Sequence, residues 1–151
     1  MADTIKLTDE LKASLTDFNW EVNGQIRYVR DIEHFNASDF WSDAKDGQGD
    51  CDNYMVSKLI YALDGTFQAM AALNTTMPRS CLRMTTCYCE KNRGYHAVLT
   101  LITDDGDYIL DNRFSTCRKA SDLVAYGYRF DRREKDQTRF PGEWEQITYT
   151  A

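Results

Sequence analysis

Long apolar runs are missing from this chain. No stretch approaches the ~18 residues that a membrane-spanning helix needs, and the 42% of hydrophobic residues are interspersed with 28% charged ones. Basic excess is missing as well. The formal net charge is −6, which argues against general nucleic-acid binding, because that requires a basic footprint. The one basic-rich stretch, RFDRREKDQTR (129–139), is broken by Asp131, Glu134 and Asp136 and reads as a solvated loop or hairpin. Proline and glycine are scarce, at 2 and 8 residues of 151. With no repeat, linker or low-complexity tract, residues 1–151 are expected to form a single domain, one that buries about two-thirds of its unfolded surface. The opening MADTIKLTDELKASL has neither the basic segment nor the apolar core of a secretory leader. A cytoplasmic protein, or one whose leader has been removed, is the expectation.

Metal-ligating patterns are also sparse. Five cysteines cannot all pair within one chain, and reduced thiols are the default without a leader. Cys81, Cys87, Cys89 and Cys117 lack paired C-x-x-C spacing, which leaves a structural zinc site weakly supported. Within CLRMTTCYCE, Cys81, Cys87 and Cys89 share one parity and in a strand would line one face together, as small hydrophobes of the core.

What is present is ordered by periodicity. LTDELKASLTDFN carries Leu7, Leu11, Leu15 and Phe18 at helical spacing, with Thr8 as N-cap and acids in the first turn. VNGQIRYVRDIEHF predicts a second helix and NASDFW another capped turn. A further helix over 50–64 shows the stripe Met55, Leu59, Ala62 and Leu63 and ends at Gly65. After residue 80 the period becomes two: CLRMTTCYC, YHAVLTLI, DYILDNRF, AYGYRF and EWEQITYT read as strands. Asp105-Gly106 is a tight-turn signal between the second and third. The expected class is α+β, with N-terminal helices packed on a C-terminal antiparallel sheet.

Cys51, in GQGDCDNYMVSKLIYAL, can be a buried thiol, a metal ligand or a nucleophile. A helix N-terminus favours the thiolate through its dipole and free N–H groups, while Asp50 and Asp52 oppose it. A nucleophile also needs a base. Only two histidines exist. His34, within RDIEHF, has no pattern tying it to Cys51 and reads as surface or structural. His96 opens the strand HAVLTLI, and Asp111 follows in YILDN. A cysteine at a helix start with His and Asp on adjacent strands has the order of a papain-like triad, in which the carboxylate fixes the imidazole tautomer. With a turn at Asp105-Gly106, however, Asp111 lies on the face of His96 but four residues along the strand. At ~3.3 Å per residue that is out of reach without a bulge, another register or strong twist.

The segments VNGQIRYVRD, FW, GDCDNYMVSKLIYAL, GYHAVLTL and YILDNR, spanning Val22 to Arg113, together resemble the bacterial transglutaminase-like cysteine peptidases of the papain-like and transglutaminase-like group. The resemblance implies that fold, with Cys51 as nucleophile, His96 as general base and acid, and Asp111 orienting His96. Asn23, Asp31, Trp41 and Lys58 also match family positions. It implies a thiol hydrolase acting on a peptide or isopeptide bond in a protein or peptide substrate, with no nucleic acid or membrane partner. An acyl transferase of the transglutaminase type uses the same thioester, and a non-catalytic binding module would keep the fold. Family members commonly show Asp-Cys-Glu-Asp, where this chain has Asp50-Cys51-Asp52-Asn53. In the periplasmic branch, which processes surface adhesins, acids beside the cysteine help to bind calcium. Asp50, Asp52 and Asn53 offer a shorter oxygen set, so helix capping is the expected role, no cofactor is expected, and calcium is the alternative. Compact leaderless members occur in phage genomes, so the resemblance admits a phage as well as a bacterial source.

Overall fold

A computed structural model describes residues 5–25, 27–28, 48–49, 55, 58, 81–89, 94–114, 116–135 and 143–150. The chain begins with helix α1, Asp9–Gln25. The Thr8 hydroxyl accepts the Leu11 N–H at 3.0 Å, as an N-cap does. Leu11, Leu15, Phe18 and Val22 form one buried stripe, a helical period that continues straight through the point where a second helix was expected to start. Val22, Asn23 and Gly24 are therefore the last turn of α1, and Arg27–Tyr28 is a short strand, β1, paired in parallel with β2, Gln48–Gly49. The remainder of the expected second helix, NASDFW and His34 lie outside the described residues. So does most of the 50–64 helix, although Met55 and Lys58 are both helical and buried.

Six antiparallel strands make the main sheet: β3 Leu82–Cys89, β4 Gly94–Thr103, β5 Gly106–Leu110, β6 Arg118–Lys119, β7 Tyr128–Glu134 and β8 Trp144–Gln146. Their order is β6-β5-β4-β3-β7-β8. Side-chain alternation along β4 divides the core in two. Ala97, Leu99 and Leu101 join Leu82, Met84, Leu110 and the α1 stripe. Val98 joins Cys87, Cys89, Ile109, Tyr128 and Phe130 on the opposite face. That face is covered by a second helix, α2, Ala120–Tyr126, through Ala120 and Leu123. Among the described residues no helix is long and apolar enough to cross a membrane.

Four further expectations are corrected. AYGYRF is not one strand: Gly127 takes φ 121°, its N–H caps α2 on the carbonyls of Leu123 and Val124, and the strand begins only at Tyr128. The cysteines divide. Cys81 precedes β3, so strand parity does not govern it, and it packs in the first cluster while Cys87 and Cys89 pack in the second. EWEQITYT keeps strand geometry only over Trp144–Gln146, closing a hairpin with the basic-rich stretch in β7. The fourth concerns register. The β4–β5 turn is Asp104-Asp105, with Thr103 opposite Gly106. Gly106 sits just after the turn at φ 103°, where an L side chain is strained. The Thr103 hydroxyl holds this geometry by accepting the Asp105 N–H and donating to the Gly106 carbonyl.

Candidate active site

The register decides which side chains meet. Leu99 pairs with Leu110, so the next residue, Asp111, leaves β5 opposite Val98. His96 then lies two residues further on the same face rather than four. Diagonal neighbours at that separation are within reach of longer side chains, and His96 Nε2 meets Asp111 Oδ1 at 2.7 Å. Both residues are 1% exposed. The strand ends at Leu110, and Asp111 starts the turn that takes the chain away from the sheet.

Asp111 is held at three points. Its Oδ1 also accepts the Arg113 N–H at 3.0 Å, and its Oδ2 accepts the Tyr128 hydroxyl at 2.5 Å. Its carbonyl, with that of Phe114, receives the side-chain amides of Asn19 and Asn23, one helical turn apart on α1, over 2.7–3.1 Å. This is the structural role of Asn23, which matched a family position. Burial pushes the Asp111 carboxyl up, but hydrogen bonds from His96, Tyr128 and Arg113 outweigh it and hold the group below the usual carboxylate range. The charge of Asp111 also reaches Lys58. Burial draws that ammonium from its ordinary 10.5 to about 7, and the carboxylate partly opposes the shift.

The imidazole is thus fixed from one side. With Nε2 on Asp111, Nδ1 is buried and has no hydrogen-bond partner among the described residues. The neutral ring bound in this way carries its proton between Nε2 and the carboxylate and leaves Nδ1 as the acceptor. Cys87 is the register partner of His96 across β3, and Cys89 follows on the same face. Beside the Asp111 turn lies an open cavity of about 320 Å³ lined by Trp20, Asn23, Gly24, Asn112, Arg113 and Phe114.

The structure therefore brings His96 and Asp111 together. Cys51 lies outside the described residues, as do Asp50, Asp52, Asn53, Asp31 and Trp41. Among the described residues no group of three or more His, Cys, Asp or Glu side chains could hold a metal ion. Sequence reasoning missed Asn19 and Tyr128. Asn19 had a signal, since it and Asn23 interrupt the apolar stripe of α1 four residues apart. Tyr128 had none, because its partner is 17 residues away and the pairing exists only in the assembled sheet.

No curated protein matches the chain. Solved structures do. Calcium-bound LapG of Legionella pneumophila is similar with a TM-score of 0.60 and 22% identity, over 82% of this chain and 64% of that one. The EGTA-treated form gives 0.61 and 20% over 90% and 72%. This chain thus spans 64% of the calcium-bound structure, and at these identities the likeness is one of fold: α+β and transglutaminase-like. The family model described as bacterial transglutaminase-like cysteine proteinase matches residues 1–151. A match over the whole length, on a fold shared with LapG, means that this chain belongs to the bacterial transglutaminase-like cysteine proteinases.

Proposed function

We propose that this chain is a thiol hydrolase that cleaves a peptide or isopeptide bond in a protein substrate, with Cys51 as nucleophile, His96 as general base and acid, and Asp111 orienting His96. The observation that carries the reading is the buried His96–Asp111 pair, whose Nδ1 has no partner among the described residues. A ring held in this way accepts a thiol proton at Nδ1 while Asp111 stabilises the imidazolium that results. The thiolate then attacks the scissile carbonyl. Its collapse product is a thioester, and His96 returns the proton to the departing amine. Water, activated by the same nitrogen, releases the acid. The open cavity lined by Asn112, Arg113 and Phe114 offers room for substrate beside the turn that carries Asp111. A reducing compartment such as the cytoplasm suits a hydrolase that works through a thiolate.

The test is iodoacetamide alkylation against pH, read residue by residue by mass spectrometry. Cys51 is expected to react well below the ~8.5 of a free thiol, and His96→Ala to slow it at neutral pH. Cys51→Ala abolishes any acyl-enzyme, whereas Asp111→Asn keeps the fold and lowers turnover by disturbing the imidazole tautomer. If Cys51 titrates as an ordinary thiol and ignores His96→Ala, the chain is a binding module on the same fold. Calcium is a separate part of the proposal. A LapG structure is calcium-bound, and Asp50, Asp52 and Asn53 are the oxygen donors beside Cys51 in sequence. Thermal denaturation with added calcium or EGTA separates ligands from helix caps at these residues.

A further inference from the structure

The donor on Asp111 Oδ2 comes from across the sheet. Asp111 leaves β5 and Tyr128 opens β7, with β4 and β3 between them. Cys89 is the register partner of both Tyr128 and Gly94, so the row that the tyrosine crosses holds a thiol and a residue without a side chain. The hydroxyl reaches Oδ2 at 2.5 Å, while His96 Nε2 and the Arg113 N–H share Oδ1. The tyrosine ring also meets the imidazole edge-on, with centroids 6.1 Å apart at 83°. One residue therefore touches both members of the pair. The Arg113 guanidinium lies near enough to the hydroxyl to feel its charge, and the hydroxyl itself donates to Asp111 Oδ2.

We propose that Tyr128 is a positioning residue for His96, acting through Asp111: its hydroxyl fixes the rotation of the carboxylate so that Oδ1 faces Nε2. The χ2 torsion of aspartate is broad and roughly two-fold, so a carboxylate bonded only through Oδ1 keeps a freedom that a second anchor removes. The same hydroxyl helps keep the buried carboxylate ionised, since an uncompensated charge at that depth reverts to the neutral acid. The groups facing Asp111 are His96 from β4, Arg113 from its own turn, the helical Lys58, and Tyr128 from β7. Cys89 of β3, the register partner of Tyr128, interacts with the tyrosine. The inference rests on His96 and Asp111 being the catalytic pair.

The experiment is Tyr128→Phe in the full chain, which keeps the ring and deletes the donor, with Tyr126→Phe as the exposed control. The first readout is the far-downfield proton resonance of the His96 ring N–H bonded to Asp111, which needs neither substrate nor Cys51. It is expected to broaden and to exchange faster with water in Tyr128→Phe and to stay unchanged in Tyr126→Phe. The second is the pH profile of turnover and of Cys51 alkylation. Turnover should fall about tenfold. Because the hydroxyl helps to hold the Asp111 pKa down, its loss moves the acid limb to higher pH. Should Tyr128→Phe lose the fold by circular dichroism, 3-fluorotyrosine at position 128 keeps the packing, strengthens the donor and must shift the resonance. An unchanged resonance and acid limb in a folded variant make Tyr128 a packing residue and overturn the inference. A shifted resonance with Cys51 indifferent to His96→Ala shows that Tyr128 positions His96 through Asp111, while the catalytic role of the pair fails with the hydrolase reading.

Discussion

At the scale of single residues, two cysteines make opposite demands on the alkylation test. Cys89 is 3% exposed and sits on the sheet face of His96. A hydrogen bond from Cys87 draws its thiol from the ordinary 9.0 to about 6, burial opposes this, and the charges of His96 and Arg113 add to it. A low pKa is only half of reactivity, because the reagent must also arrive. Cys89 therefore serves as the internal reference for Cys51. It is expected to stay unlabelled in the native protein at the pH where Cys51 reacts, and to label once the chain is unfolded. His96→Ala removes a charge felt by Cys89 too, so a change at Cys51 counts for the catalytic reading only when native Cys89 remains silent. Mass spectrometry of the two peptides from one sample decides it. The same scale shows why apolar surroundings alone do not describe this site. Asp111 is buried and ionised because it has donors on both oxygens, whereas His96 Nδ1 has no partner among the described residues.

At the scale of elements, α1 secures the Asp111 turn from the opposite side of the sheet. Asn19 and Asn23 each donate to the carbonyls of both Asp111 and Phe114, so either amide can hold the turn while the other is missing. Asn19→Ala or Asn23→Ala should each cost about 1 kcal/mol, and the double variant more than the sum, since only then are two buried carbonyls left without these donors. Urea denaturation of the three variants measures the coupling, and strictly additive costs would show that the amides act independently. Turnover should follow the double variant down, because the turn places Asp111. Some of this architecture is legible in the sequence. The α1 stripe and the period-two strands follow from local alternation, and His96 and Asp111 stand out as a histidine and an acid on neighbouring strands. The register does not follow from sequence, because Asp105-Gly106 resembles a turn centre while the glycine is used one position later, at φ 103°. That difference of two residues in pairing separates contact from no contact. The end of helix α2 was hidden in the aromatic run AYGYRF, because Gly127 acts as a helix stop there and a glycine between tyrosines does not announce which side of it is helical.

At the scale of the whole molecule, the buried ionisable groups shape how stability varies with pH. Asp111 is held below its ordinary 3.8, so its contribution is present above that value and lost as pH falls through the depressed pKa. Lys58 is drawn from 10.5 to about 7. Between those values the unfolded chain binds a proton that the folded chain does not, so stability rises with pH across that window. Tyrosines set the upper bound. Burial raises Tyr108 from 10.0 to about 12, with Asp105 adding to the shift, and it raises Tyr128 and Tyr149 as well. Above 10 these groups keep protons that the unfolded chain releases, so stability falls. The formal charge of −6 grows more negative on the same limb, and self-repulsion works in the same direction. The maximum is therefore expected between about pH 8 and 10, alkaline of the usual range of ~5 to 8. Lys58 is the group responsible for the displacement, and Lys58→Met removes its titration while retaining an unbranched side chain for the core. Melting temperature measured from pH 6 to 10 should climb in the parent chain and flatten between about 7 and 10 in Lys58→Met. Parallel curves for the two proteins would mean that Lys58 is already neutral or fully compensated throughout, and the alkaline rise would then belong to another group.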